Sequence, residues 1–316
     1  FRRRAARPGA FFRDAGPPRA QGDGHDFPGQ DPGKDKGDIS EVIDAEEAKP
    51  ILKREKVAGR PDLWLRTANN PIPSCPGCHE PTTARAILEV LQEMGLTGDT
   101  VMVLGVGCSF AFQSMINLDY LCCAHGRPPD GATAVKRVLC KGTMHRAPTL
   151  VFTVQGDGDC IAIGAGPLIN AAARAENFTI IMLNNANYGT TGGQLAPTTP
   201  LGQVTSTTPL GRSTREGFPV RVPELLATFD GVVYTARGAV NTPANYQKTR
   251  GYIKKAFQSQ MAGLGLSFVE VLCACPPNWH MTPLDSLKWI EQTMIPQFPL
   301  GEFKVAQEVP EARGKK

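Results

Sequence analysis

Gln155-Gly156-Asp157-Gly158-Asp159, with Asn185 standing 28 positions after Asp157 inside Leu183-Asn184-Asn185-Ala186-Asn187-Tyr188-Gly189, is the part of this sequence that decides its fold. Thr149–Gln155 reads as a short apolar strand that ends at Gly156, and Phe178–Leu183 as a second that ends at the paired asparagines. Between them, Ile161–Glu176 reads as a helix. Both polar signatures therefore fall just past a strand end. A diphosphate needs backbone N–H donors at close approach and a divalent cation to neutralise its oxygens. Gly156 and Gly158 meet the first need, and Asp157 supplies a hard oxygen for the second. Mg²⁺ takes octahedral oxygen coordination with few protein ligands, which suits Asp157, the Asn185 side-chain oxygen and one backbone carbonyl near Asn187. An isolated Gly-Asp-Gly is ordinarily a turn. The Asn-Asn element one strand–helix–strand interval later, followed by Thr191-Gly192-Gly193-Gln194, turns it into a metal–diphosphate clamp.

Outward from this centre the alternation continues. A helix is expected over Thr82–Met94, closed by Gly95. Further strands are expected at Thr100–Leu104, Gly231–Thr235 and Ser267–Leu272, with helices at Pro223–Phe229 and Pro243–Met261. This pattern predicts an α/β fold, a mostly parallel sheet flanked by helices. Cys108, Asp157, Asn185 and Cys275 each follow a strand, and Cys75 and Cys78 precede the first helix. All should converge on the carboxyl edge, where open parallel sheets bind ligands.

The chain has 316 residues, 41% of them hydrophobic, enough for a sizeable core. Its net charge of +4 comes from the first 20 residues, where six Arg face one Asp; the remainder sums to −1, so no basic nucleic-acid face is expected. Apolar runs such as Val101–Val106 are far shorter than the roughly 20 residues that span a bilayer. Nine cysteines suit metal ligation in a reducing compartment, which places the chain in the cytoplasm. Residues 1–45 lack apolar periodicity and read as a disordered leader. Residues 46–74, with Pro61, Pro71 and Pro73, read as a connecting arm; the folded domain is expected over 75–305, with a tail at 306–316.

Gly156–Asp159, Asn184–Gln194 with Pro197-Thr198-Thr199-Pro200, His125-Gly126-Arg127, Cys75-Pro76-Gly77-Cys78 and Gly107-Cys108-Ser109 together resemble the thiamine-diphosphate-binding beta subunit of the 2-oxoacid:ferredoxin oxidoreductases, over about residues 72–305. The tail motifs Cys275-Pro276-Pro277-Asn278-Trp279 and Leu287-Lys288-Trp289-Ile290 are most similar to branched-chain (2-oxoisovalerate) or 2-oxoglutarate-type members. The resemblance implies the thiamine-diphosphate-binding fold of the pyrophosphate (PP-type) domain. Its implied cofactor contacts are Gly156, Asp157, Gly158, Asp159, Asn185, Asn187, Tyr188, Thr191, Gly192, Gly107, Cys108 and Ser109, with Mg²⁺ on Asp157, Asn185 and Asn187. His125 and Arg127 match the family's His-Gly-Arg and are its candidates for the substrate edge. One departure stands out: members commonly carry Gly-His after the second cysteine of the tetrad, where this chain has His79-Glu80.

Iron–sulfur clusters take four thiolates, commonly a close pair plus distant ones. The resemblance implies one 4Fe-4S cluster on Cys75, Cys78, Cys108 and Cys275, with Cys273 as the rival fourth ligand. Zinc on the same thiols has the same sequence signature. Cys122, Cys123, Cys140 and Cys160 read as small buried apolar residues, and His145 and His280 as ordinary loop residues. The implied reaction converts a 2-oxoacid, coenzyme A and oxidised ferredoxin to acyl-CoA, CO₂ and reduced ferredoxin. Implied partners are an alpha subunit carrying the pyrimidine-binding domain, small ferredoxin-like subunits and ferredoxin. Two rival expectations are a non-redox thiamine-diphosphate decarboxylase or synthase, without iron, and a zinc-stabilised scaffold without catalysis.

Overall fold

The computed structural model describes residues 61, 63–65, 72–141 and 149–306, all within one compact unit. The expected leader, most of the connecting arm, His145 and residues 307–316 lie outside the described residues.

Helix α1 (Glu80–Glu93) leads into β1 (Thr100–Leu104); a 3₁₀ turn (Cys108–Ala111) and α2 (Phe112–Met115) then precede β2 (Asp119–Cys122) and α3 (Pro128–Lys141). Strand β3 (Leu150–Gly156) runs into a π-helical turn (Gly158–Ile163) and α4 (Ala165–Ala173), followed by β4 (Thr179–Asn184), α5 (Val222–Ala227), β5 (Val232–Ala239), α6 (Pro243–Met261) and β6 (Leu266–Leu272). The chain closes through α7 (Pro276–Trp279), α8 (Pro283–Trp289), a second π-helical turn (Ile290–Met294), α9 (Ile295–Gln297) and β7 (Gly301–Val305). The sheet order is β2-β1-β3-β4-β6-β5-β7, parallel throughout except for β7, which pairs antiparallel with β5.

The central strands are continuous apolar runs because both faces are covered. Met102, Leu104, Phe152, Val154, Ile181 and Leu183 pack with α1 and α6, while the intervening Val103, Val151, Ile180 and Met182 face a second core with Leu168 and Leu226. At about 25 cal/mol per Å² of apolar surface removed from water, these two layers hold the sheet rigid beneath the loops at its carboxyl edge. Of the arm, Leu63 is buried in the first core and Trp64 bridges to Ile116, so this part is packed against the domain.

The expected strands and helices are present, and the structure adds β2, β7, α2, α3 and α7 to α9, which were not expected. Edge strand β2 is exposed along its length and carries no apolar run to announce it. Strand β5 extends to Ala239, because Arg237, a residue that argues against a buried strand, is neutralised inside it. Helix α4 ends at Ala173 and is preceded by the separate π turn, so the expected single helix over 161–176 is split.

Successive connections leave β1 and β3 in opposite directions: β2 lies on the far side of β1, whereas β4 lies on the far side of β3. Their carboxyl ends therefore form the crevice where such sheets bind ligands.

Candidate functional site

Two adjoining cavities open at this crevice. The smaller, about 90 Å³, is lined by Gly107, His125, Gly156–Asp159, Asn185, Asn187, Tyr188 and Thr191 among others. The larger, about 540 Å³, is lined by Cys75, Cys78, Cys108 and Cys275, together with Phe110, Pro277 and Asn278. Glu80, Cys108, Asn185 and Thr190 belong to both walls. The convergence expected from strand ends is thus present.

In the smaller cavity Asp157 is 1% exposed and accepts hydrogen bonds from the Gly158 amide at 2.9 Å and from the Thr198 hydroxyl. Asn185 Oδ1 accepts from the Asn187 amide at 3.2 Å, and Asn187 Nδ2 donates to the Asn185 carbonyl at 2.8 Å. Trp279 Nε1 donates to that same carbonyl at 3.1 Å. Cβ atoms built on Gly156 or Gly107 meet nothing within 4 Å, so these glycines leave the floor open where a diphosphate would lie. At Gly158 a Cβ would stand 2.3 Å from the Tyr188 ring, so any other residue there would have to displace that ring. The Ser109 hydroxyl, one residue past Cys108, is buried without a hydrogen-bond partner, and Ser109 lines neither cavity.

Electrostatically the cavity is acidic. Burial pushes the Asp157 carboxyl up to about 7, with Thr198 and Gly158 pulling it back. Glu80 is pushed up to about 8 by burial and then by the charge of Asp157. Two carboxyls forced toward neutrality in one pocket form an oxygen-rich donor set that fits a hard divalent cation, whose charge would let them ionise.

Asp159, expected as a cofactor contact, lines the smaller cavity and has both carboxylate oxygens engaged by protein groups. One carboxylate oxygen bonds His125 Nδ1 and accepts from the Gly126 amide at 2.7 Å; the other accepts from Gln155 Nε2 at 2.8 Å. Asp159 is therefore a strut that holds the His125 loop against β3. His125 lines the cavity with its edge toward Tyr188. Arg127 lies outside both cavities, exposed and bonded to Asp130. Thr191 borders the cavity and spends its hydroxyl on Gln194, while Gly192 (φ 107°) shapes the turn beside it.

The four nominated thiols border the larger cavity. Cys108 Sγ lies 3.0 Å from the Thr190 hydroxyl, and Cys275 Sγ receives a hydrogen bond from Asn278 Nδ2 at 3.3 Å and lies 3.9 Å from Asn187 Oδ1. The clamp loop and the thiol wall are thereby joined through Asn187. Burial, reinforced by Glu80, pushes Cys78 up to about 12 and Cys108 up to about 11. Among the described residues no three His, Cys, Asp or Glu side chains close on a point that would hold a single ion. All four thiols line one cavity wall. Cys273 is buried in the first core beside Thr83, at 3.8 Å, away from this wall. Of the cysteines expected to be buried, Cys160 is; Cys122 is exposed and Cys123 half-buried, because both stand at the open β2 edge. The Cys140 side chain lies outside the described residues. His280 is exposed and caps α7 with left-handed backbone.

Sequence reasoning missed Glu80, Thr198 and the strut role of Asp159. Thr198 lay inside a quoted motif, yet nothing local signals that its hydroxyl meets a carboxylate 41 positions away.

Residues 97–271 match the family described as thiamine pyrophosphate enzyme, C-terminal TPP binding domain. The 2-oxoglutarate synthase subunit KorB of Archaeoglobus fulgidus is 34% identical over 229 residues, 72% of this chain and 79% of that protein. The chain belongs to the thiamine-diphosphate-binding subunits of 2-oxoacid:ferredoxin oxidoreductases. Another such subunit, the ketoisovalerate oxidoreductase subunit VorA of Methanothermobacter thermautotrophicus, is 34% identical over 231 residues, 73% of this chain, and this chain spans 47% of its length. In fold, this thiamine-diphosphate subunit matches a 2-oxoglutarate:ferredoxin oxidoreductase from Magnetococcus marinus with a TM-score of 0.63 at 21% identity, over 80% of this chain and 87% of that one. Among the described residues no helix is long and apolar enough to cross a membrane.

Proposed function

We propose that this chain is the beta subunit of a CoA-dependent oxidative decarboxylase of 2-oxoacids. The reaction takes a 2-oxoacid, coenzyme A and two oxidised ferredoxins to acyl-CoA, CO₂, two reduced ferredoxins and a proton. The observation that carries this reading is the shared wall: Glu80, Cys108, Asn185 and Thr190 line both the oxygen-rich cavity and the thiol cavity. Carbon chemistry and electron removal would then occur side by side.

Asp157, the Asn185 side-chain oxygen and the Asn187 backbone carbonyl would hold Mg²⁺, with Gly156, Gly158, Gly107 and the Ser109 hydroxyl around the diphosphate. Thiamine diphosphate supplies the carbon nucleophile and electron sink that decarboxylation of a 2-oxoacid needs. Cys75, Cys78, Cys108 and Cys275 would carry one 4Fe-4S cluster. His125, whose Nδ1 is committed to Asp159, keeps Nε2 for hydrogen bonding at the substrate edge; Arg127 receives no role at the cavity. The carboxylate that engages the thiamine pyrimidine would come from an alpha subunit with its own pyrimidine-binding domain, and small ferredoxin-like subunits would carry electrons outward, in the cytoplasm.

The test is anaerobic purification with a co-expressed alpha subunit, followed by ferredoxin or viologen reduction with a panel of 2-oxoacids and coenzyme A. A brown, thiamine-containing complex that reduces viologen only with both substrates is expected. Colourless protein with bound thiamine, or with zinc, would replace this reading by one of its rivals.

A further inference from the structure

Behind the clamp, and lining neither cavity, lies a chain of fully buried polar groups that crosses three strands. Arg237 on β5 donates through Nε to Glu270 Oε2 on β6 at 2.6 Å. Glu270 Oε1 accepts from Asn184 Nδ2, at the end of β4, also at 2.6 Å. Asn184 Oδ1 accepts from the Ala186 amide at 3.0 Å. Arg237 is locked from its far side by Glu224, at 2.9 and 2.6 Å, and by the Pro299 carbonyl at 3.0 Å. Ala186 has φ of 59°, a left-handed conformation strained for a non-glycine residue, which needs a holding contact.

The donor and acceptor order of this chain is forced. Arg237 can only donate, so Glu270 accepts from it; Glu270 Oε1 accepts from the Asn184 NH₂, which leaves the Asn184 oxygen for the Ala186 amide. The left-handed turn at Ala186 separates Asn185 from Asn187, the two residues assigned oxygen donors to Mg²⁺. We propose that Arg237, Glu270 and Asn184 are a positioning relay that sets this turn and thereby aims the Asn185 and Asn187 oxygens at the metal. The inference rests on the Mg²⁺-diphosphate reading above and adds residues that never touch the cofactor.

The order of the relay can be broken and restored at single atoms. Glu270→Gln keeps its oxygen for Arg237, which cannot do otherwise than donate, and points its NH₂ at Asn184. Asn184 then flips and presents NH₂ to the Ala186 amide, donor against donor. Adding Asn184→Asp supplies acceptors on both sides and repairs the sequence of bonds. Calorimetric titration of Mg²⁺ with thiamine diphosphate into the full chain in its complex should show Glu270→Gln binding about tenfold or more weakly, the worth of one buried hydrogen bond. The double variant should return to within about threefold of the parent. A residue that merely stabilises the fold would not have its affinity defect cured by changing Asn184 to Asp. Asn184→Leu, which leaves the Arg237–Glu270 pair intact, keeps the test valid where Glu270→Gln does not fold, and should show the same weakening. Parent-like affinity in Glu270→Gln or Asn184→Leu, or a soluble double variant without recovery, overturns the relay. A parent that binds no Mg²⁺ and thiamine diphosphate overturns the metal reading itself, and the relay with it.

Discussion

The two cavities at the carboxyl edge are built on opposite principles. The smaller is walled by groups already hydrogen-bonded to one another: Thr198 to Asp157, Asn187 to Asn185, Trp279 to Asn185, and Asn184 to Ala186 behind them. The larger is walled by thiols held neutral by burial, with Cys75 exposed on the loop before α1. A hard cation and a diphosphate reward donors fixed in advance, because reorganising them would cost part of the binding energy. Buried thiols give up their protons when a metal centre displaces them, so on the proposed reading the soft wall would gain its full order from that centre. The difference predicts that the two halves fail separately.

Asp157→Asn should separate them most. Loss of the anionic oxygen should weaken retention of Mg²⁺ and thiamine diphosphate by about a hundredfold or more, since a charged metal ligand is removed, while iron content stays unchanged. The metal-free protein should melt no lower than the parent, because burial of that carboxyl is unfavourable. Parallel loss of iron would dissolve the distinction. On the soft side, Cys275→Ser should abolish stoichiometric iron after anaerobic reconstitution and leave thiamine diphosphate binding within a few-fold. Cys273→Ser should keep its iron and lose only about 1 to 3 kcal/mol of stability from repacking a buried polar atom. Iron analysis of the two variants decides between the thiols, and the reverse result would make Cys273 the ligand.

The smallest effect concerns pH. In metal-free protein Asp157 and Glu80 stand at about 7 and about 8, raised by burial. Raised carboxyls contribute stability that is full below their unfolded values, near 4, and is lost as pH rises through 7 to 8. Thermal melts in chelator should therefore fall by a few degrees between about pH 6 and about pH 8.5. Mg²⁺ with thiamine diphosphate should flatten the slope by favouring the ionised carboxylate. An unchanged midpoint across that window in chelator would show that these carboxyls are better solvated than their burial implies.

Legibility followed the range of each interaction. That Gly156, Asp157, Gly158, Asn185 and Asn187 share one cavity was readable because the first three are contiguous and the asparagines follow one strand–helix–strand unit later. Cys275 could not be ranked above Cys273 by geometry in one dimension, since both follow β6; packing sends Cys273 into the core beside Thr83 and Cys275 to the cavity wall. Asp159 lines the same cavity as Asp157, but its bonds to His125 and Gln155 were not legible, because the His125 partner lies 34 positions back in the chain.

The sequence by itself determined the strand–helix rhythm, the parallel sheet and the placement of oxygen and sulfur donors past strand ends, because these depend on local periodicity and on backbone chemistry at turns. Only the tertiary structure decided which donors share a wall, that Glu80 stands between both cavities, and that Arg237 and Glu270 lie behind Asn184. Those relations join residues on separate strands and helices, and they exist only once burial has made an unpaired charge too costly to leave without a partner.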